Sequence, residues 1–511
     1  MFWQGVCVPF VRYKWAEYRM RNETDQAKVD AVFNPLHDKY APKIEALTLK
    51  LRGFYLKNAQ ICSTLDYFVP KQYLEFCKRM QSEVPTSLEP GQARRVVAEA
   101  LRDHGYAFDD VFASFEDEPV GSASIGQTHR AVRRDGRVVA IKVMAPGIEE
   151  KFRSDIRTIL RFCQVAMPHH VATMREIEKQ FVTEFDYLGE AGNLQRVRAN
   201  VMPIFGDKVV IPAPHLELCS KHVLVMDFLD GPSLVKGIRQ SYAEFAASRG
   251  TTLEALEAEQ KREIERPDYQ FRDTAEEARR VRRLRYVMRA GDALSNSWRV
   301  AYNYSLGWAL GRPVDYVHTK PLINLGEVLQ LLADVHGHEI IIDGCFNADP
   351  HPGNVLLLKD GRLGLIDYGQ TAYLKPKERL AYARLIIALA NDDEIEVVRV
   401  AREFGGKTRY GKPDIAYKLM CFWNDRTTDD VTGGRNIQQF MDWAEAEDPV
   451  VAASEAIVMP ARVSIMLRGL GNAFGLRLRM SKWWEPLARQ ALSDAGVDYR
   501  PRKTRAIDFV D

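Results

Sequence analysis

Apolar residues recur along this chain in two rhythms, and the switches between them mark out its elements. Ile44, Leu47, Leu51, Phe54, Ile61 and Leu65 fall at steps of three and four, with Asn58 filling one slot, which predicts one helix from Pro42 to Thr64. The helical pattern continues to Pro85, with Pro70 at or near a helix start, where a missing N–H costs nothing. The rhythm then changes. Thr128 to Val132 and Val138 to Val143 are strand-like runs around Asp135-Gly136, and Val355 to Leu358 and Leu363 to Ile366 are two more around Asp360-Gly361. An Asp-Gly dipeptide between such runs signals a two-residue hairpin. Met174, Ile177, Phe181, Phe185, Leu188, Leu194 and Val197 predict one amphipathic helix. Val223 to Phe228 reads as a strand that Leu229-Asp230-Gly231-Pro232 breaks, where a hinge between two lobes would fall. After Gly369 the pattern is mostly helical, with apolar periodicity over Leu380 to Asn391 and Val450 to Arg479.

The 511 residues leave room for two to four domains or one large two-lobed body, and their apolar content is enough for a sizeable core. A formal net charge of only +2 gives no sign of nucleic-acid binding. The seven cysteines are scattered singly and odd in number, which argues for a reducing compartment rather than a disulfide framework. His336 and His338 bracket a glycine, as a loop or strand-end pair would, and are not read as a metal site. No run of about 18 uncharged apolar residues predicts a transmembrane helix. Met1 to Met20 is aromatic and then basic, without the marks of a signal or transit peptide.

The chemistry concentrates in Phe346-Asn347-Ala348-Asp349-Pro350-His351-Pro352-Gly353-Asn354 and, after the second hairpin, Asp367-Tyr368-Gly369. A two-residue turn at Asp360-Gly361 pairs Leu358 with Leu363, and counting back sets Asn354 opposite Asp367. An amide and a carboxylate so placed can share Mg²⁺, a cation that takes hard oxygens and keeps phosphate and water as its other ligands. Asp349 and Asn354 stand in the D-x-x-x-x-N spacing of a kinase catalytic loop, followed by a variant of D-F-G. Each position alone is an ordinary polar turn residue; the combination points to phosphoryl transfer.

Upstream, Val139-Ala140-Ile141-Lys142 matches the strand whose lysine holds the α- and β-phosphates in kinases. Lys142 shares a strand face with Val138 and Ala140, while Val139, Ile141 and Val143 share the other. A kinase lysine pairs with a helix glutamate, and Glu190 is the choice here. On a continuous helix Asp186, Glu190 and Asn193 line one face, while Glu184 points about 120° away and must meet a different partner. From Gly237 to about Thr319 the chain is too long for a simple connection. It carries an acidic part, Glu254 to Glu265, and six arginines between Arg279 and Arg289, which predicts a charged helical insertion. A solvated surface is the ordinary reading of such a helix, and an anionic membrane surface the sharper one.

Three stretches together resemble the UbiB-type atypical kinases, the aarF-domain-containing or ABC1-like kinases: Phe346 to Asn354, Ala123-Ser124-Ile125-Gly126-Gln127-Thr128-His129-Arg130-Ala131, and Val139 to Val143. The resemblance runs roughly from Leu51 to Gly369 with a helical C-terminus. It implies an α+β, two-lobed protein-kinase-like fold with an N-terminal helical extension, divided here as 1–95, 96–229, 230–420 with the insertion at about 237–319, and 421–511. It also implies an alanine-rich nucleotide loop, in which Ala123 and Ser124 fall, although Gly121-Ser122 stand where alanines are usual. Lys57-Asn58-Ala59-Gln60 is similar to the K-x-G-Q motif of the extension, with Ala59 in the glycine's place, and Glu184-Phe185-Asp186 to the E-x-D motif. Lys57, Gln60, Glu184 and Asp186 are thereby expected to regulate or occlude the site, a Lys57–Glu184 contact laying the extension where a protein substrate would dock. Lys142, Asn354 and Asp367 are expected to bind ATP, Asn354 and Asp367 to bind Mg²⁺, and Asp349 to act on the nucleophile, with Glu190 holding Lys142. The resemblance further implies isoprenoid-lipid or quinone metabolism in bacteria, mitochondria or plastids. The competing readings are a protein or small-molecule kinase and a nucleotide-binding scaffold without turnover.

Overall fold

The structure is a computed structural model that describes residues 2–21, 23, 25–62, 69–82, 88–122, 125–166, 171–264, 266, 269–319 and 322–509. The chain forms two compact units: Met1–Gln195, Pro212–Leu229 and Tyr368–Gln370 make the first; Arg196–Ile211, Asp230–Asp367 and Thr371–Asp511 make the second.

The first unit is built on an antiparallel sheet in the order Phe112–Phe115, Gly126–Arg133, Val138–Met144, Val223–Asp227, with Gly121–Ser122 paired to the second strand. Val139, Ile141 and Val143 are wholly buried. Lys142 sits between Thr128 and Leu224 on the neighbouring strands.

Two helices predicted as continuous are broken. In place of one helix from Pro42 to Thr64, Gln26–Leu51 ends and Phe54–Cys62 begins. Arg52 and Gly53 between them take φ of 54° and 51°, and two left-handed residues in succession stop a helix whatever its apolar spacing. Thr64, Leu65 and Pro85 lie outside the described residues. The second helix restarts the chain in a new direction, so that Phe54 packs edge-on against Phe152 and Phe181, and Phe152 in turn against Phe185. Each such aromatic pair contributes about 0.5–1.5 kcal/mol beyond its buried area. The segment read as one helix over 174–197 is Val171–Val182, a 3₁₀ turn Thr183–Phe185, and a new helix Tyr187–Phe205. Asp186 leaves helical geometry at φ −135°, ψ 86°. Its carboxylate accepts from Gly189 N at 3.0 Å, which favours a fresh N-terminus over continuation.

Both Asp-Gly hairpins are present, but each closes through three residues rather than two. Arg133 N donates to Arg137 O and Gly136 N to Arg133 O. In the second unit Leu358 N donates to Arg362 O and Gly361 N to Leu358 O in the same way. Gly136 and Gly361 take φ of 85° and 90°, so each is the left-handed residue that completes a type I turn with a bulge. The aspartate selects this turn: Asp135 accepts from Arg137 N and Asp360 from Arg362 N, both at 3.0 Å, and each arginine returns a side-chain bond to the same carboxylate.

The extra loop residue shifts the second register by one. Leu363 faces Leu357 and Leu365 faces Val355, so Asn354 falls opposite Ile366, not Asp367. In this unit Leu363–Leu365 also pairs parallel with Val209–Val210, and Cys345–Asn347 antiparallel with Thr371–Tyr373. His336 and His338 lie at the buried end of the helix Leu325–His338, not in a loop. Gly337 between them is where the Trp484 ring packs; a Cβ there would stand 2.5 Å from it, and Trp484 Nε1 donates to Ala333 O at 2.8 Å. The stretch Val450–Arg479 is helical only over Glu455–Ala473; Val450–Ala452 and Leu476–Arg477 are short strands. Residues 237–319 are helical over most of their length, in Leu234–Ser248, Leu253–Ile264 and Thr274–Tyr302. No helix among the described residues is long and apolar enough to cross a membrane.

Gly231 lies against the second hairpin, where a Cβ would come 2.1 Å from the Leu357 carbonyl oxygen. Gly231→Ala therefore lowers stability, by about 1–3 kcal/mol if the strand gives way as overpacked cores do; urea unfolding at matched m-value measures it.

Candidate functional site

In the first unit, Lys142 Nζ lies 2.5 Å from Glu190 Oε1. The lysine comes from mid-strand and the glutamate from the first turn of Tyr187–Phe205, whose start Asp186 caps. With side-chain exposures of 14% and 6%, each charge depends on the other for what water no longer supplies. Glu184, in the 3₁₀ turn, faces other partners: Lys57 Nζ at 2.9 Å and Gln370 Nε2 at 2.5 Å. Lys57 also stands 5.6 Å from the centre of the Phe181 ring, so the aromatic cluster that docks Phe54–Cys62 brings the lysine to Glu184. The two glutamates diverge because the helix is broken between them, and the 120° expected of a continuous helix does not apply. Gln370 escaped the sequence reading; a partner 186 positions from Glu184 leaves no local signal. The Gln60 side chain and residues Ala123 and Ser124 lie outside the described residues.

In the second unit, Asn354 Nδ2 donates to Asp367 Oδ2 at 3.0 Å. They meet although they are not register partners, because Leu363–Leu365 ends before Asp367 and strict strand alternation no longer directs its side chain. Asn354 closes a 3₁₀ turn, Pro352–Asn354, in which His351 Nδ1 accepts from Gly353 N at 3.0 Å. Asn347, buried and read only as part of the motif, joins the pieces. Its Nδ2 donates to the Asp367 carbonyl at 2.9 Å, and its Oδ1 accepts from Asp349 N at 2.8 Å. Its own N–H donates to Glu339 Oε2 at 3.3 Å, and the same oxygen lies 2.9 Å from His336 Nδ1. The Asp349 carboxylate lies 3.5 Å from Arg462, on the helix Glu455–Ala473. Nothing in the pattern around Arg462 marks it.

Beside this network, burial and the Glu339 carboxylate push the Asp343 carboxyl up to about 6. Its Oδ2 has no hydrogen-bond partner among the described residues. Burial lowers the pKa of His338, 3.6 Å away, and thereby opposes the charged form an ion pair would need.

Residues 79–249 and 306–401, together just over half of the chain, match the ABC1 atypical kinase-like domain, and the chain belongs to this family of atypical kinases. AarF domain-containing protein kinase 1 of Gallus gallus is 25% identical over 84% of this chain and 67% of that protein. The Mus musculus protein of the same name is 25% identical over 78% and 61% respectively, so this chain spans about two thirds of the length of these relatives. A solved complex of Rv3197 with erythromycin from Mycobacterium tuberculosis aligns over 90% of this chain and 98% of that one, at 19% identity and a TM-score of 0.47. The ABC1 match makes the fold α+β and kinase-like, as the resemblance implied, with that match interrupted over 250–305.

The raised Asp343 pKa fixes the sign of a pH dependence. Between about 4 and 6 the unfolded chain has lost this proton and the folded one keeps it, so stability falls as pH rises through that window. Asp343→Asn removes the loss: its urea midpoint exceeds wild type at pH 7, and the difference shrinks as pH falls to 4.

Proposed function

We propose that the protein binds ATP with Mg²⁺ and transfers or hydrolyses the terminal phosphoryl group. The observation that carries this is the Asn354–Asp367 contact in a loop that also fixes Asp349. Among the described residues no cluster of three or more His, Cys, Asp or Glu side chains makes a metal cage. Mg²⁺ binds through one or two protein oxygens and takes its other ligands from phosphate and water. Asp367 would supply a carboxylate oxygen, and Asn354 its Oδ1 once the amide turns about its last torsion. A cation so held would neutralise charge on the phosphates.

The rest is done by the chain's own groups. Lys142, held by Glu190, would direct its ammonium at phosphate oxygens. Asp349, its backbone N–H fixed by Asn347, orients the acceptor hydroxyl or water and receives its proton. Arg462 holds the Asp349 carboxylate in place. One observation favours the scaffold reading instead: that same guanidinium also occupies the carboxylate. The two differ in sign, since Arg462→Ala slows turnover if the arginine positions Asp349 and speeds it if the arginine quenches it.

The acceptor we favour is water or a small molecule, because the Lys57–Glu184 pair ties down the extension that the family resemblance connects with exclusion of protein substrates. Quinone or isoprenoid-lipid metabolism, in a mitochondrion or plastid, follows from the same resemblance. The seven unpaired cysteines are compatible with a reducing compartment.

Asp367→Asn abolishes Mg²⁺-dependent nucleotide binding while the melting curve stays cooperative; unchanged binding, by calorimetry, rules out the assignment. Asp349→Ala keeps nucleotide affinity and lowers ATP turnover by about 10²–10⁴-fold. In a separate assay, wild type phosphorylates generic protein substrates poorly and Lys57→Ala does so faster. Vigorous protein phosphorylation by wild type that Asp349→Ala removes would overturn the small-acceptor reading. Hydrolysis assayed with and without isoprenoid phenols tests the substrate class.

A further inference from the structure

Residues 282–319 form an arm of unusual polarity. Among them only Gly307 is buried, so the arm has almost no apolar core. It consists of the outer part of the helix Thr274–Tyr302, a turn of π-helix Asn303–Gly307, and a returning extended segment. Polar side chains bind that segment to the helix. Asn296 both donates to Val317 O and accepts from Val317 N at 2.7 Å, and Asn303 clamps Val314 in the same two-bond manner at 2.8 Å. Asp292 accepts from Thr319 N and Oγ1, both at 2.7 Å. Asn296 and Asn303, seven residues apart, share a helix face, and Leu294 and Trp298, four apart, share a face about half a turn round from it.

The usual arrangement is thus inverted, with amides inward and apolar groups outward. Leu294, Trp298, Tyr304, Leu306, Trp308 and Leu310 are each 61–83% exposed, and Trp298 stacks on Tyr302 at 5.5 Å. Exposed apolar side chains so concentrated mark a surface that meets something other than water. Charge narrows the choice. Within 282–319 the sequence has six arginines against two aspartates; Arg282 and Arg285 lie 3.5 and 3.8 Å from Glu327, and one of the aspartates, Asp292, is committed to Thr319. A second copy would bring like charges together; an acidic surface with an apolar layer beneath it would not. Exposed Arg283, Arg289 and Arg312 suit phosphate headgroups, and Trp and Tyr suit the depth at which headgroups give way to acyl chains. Residues 282–305 of the arm lie in the 250–305 interruption of the family match, and residues 306–319 lie inside it.

We propose that this arm docks the protein on an anionic lipid bilayer, with the Trp298–Leu310 end entering the headgroup region. The inference does not depend on the phosphoryl-transfer reading and is tested without an activity assay. The full chain is floated with vesicles of phosphatidylcholine alone, and with vesicles in which about a third of the lipid is phosphatidylglycerol. Wild type floats with the anionic vesicles and stays behind with the neutral ones. Trp308→Ser combined with Leu310→Ser weakens flotation about tenfold or more. Arg283→Gln combined with Arg312→Gln weakens it about fivefold per charge at low salt and less at high salt. All four positions are exposed, and unchanged melting curves verify folding. Wild type left behind by both vesicle types overturns the proposal, as does equal flotation of the apolar variant. So does a dimer in sedimentation that the Trp308→Ser and Leu310→Ser chain loses, which would make a second copy the occupant.

Discussion

The polar end of the second unit depends on one buried amide. Asn347 spends its side chain on the backbone at both ends of the motif, taking the N–H of Asp349 and giving to the carbonyl of Asp367. Two carboxylates near one another repel, and a loop held by its own acidic side chains would have none left for chemistry. Here backbone bonds hold the loop, and the carboxylates turn to Arg462 and Asn354. Glu339, wholly buried, completes the support by accepting from both Asn347 N and the His336 ring. Leaving any of these groups unpaired would cost about 1–3 kcal/mol, which makes the arrangement specific rather than adaptable.

The first unit solves a different problem, the placement of two lysines among aromatic and aliphatic neighbours. Each has its own glutamate, and the glutamates face different partners because Asp186 ends one helical run and starts the next. The break that spoils the apolar periodicity is therefore what separates the charges. The left-handed pair at Arg52 and Gly53 plays the corresponding part for Lys57, ending a long helix so that a short one can dock through Phe54.

Family membership and the chain's own departures sit in different places. The kinase-like match covers the strand lysine, the helix glutamate and the Asp349–Asp367 segment, whereas its interruption falls where the helix Thr274–Tyr302 projects an apolar and basic surface. In the matched parts polar side chains are supported from within the fold. In the arm they are consumed in holding a strap, which leaves the apolar ones to face outward.

Element type and strand faces were legible in the sequence because they follow from local spacing. The runs around Asp135-Gly136 and Asp360-Gly361 are hairpins, and Val139, Ile141 and Val143 are the buried face of theirs. The family was legible because its motifs are contiguous. The turn type was not, since Asp-Gly serves both a two-residue loop and a three-residue loop with a bulge; the arginine that follows each glycine, bonded back to the aspartate, goes with the longer one. Helix breaks at Arg52-Gly53 and Asp186 were hidden because apolar spacing continues across them while the backbone does not. Arg462, Gln370 and the bridging role of Asn347 were out of reach for a plainer reason. Each is defined by partners distant in the chain or by backbone groups that carry no sequence signature, and only tertiary packing brings a carbonyl, an amide and a carboxylate within hydrogen-bond distance.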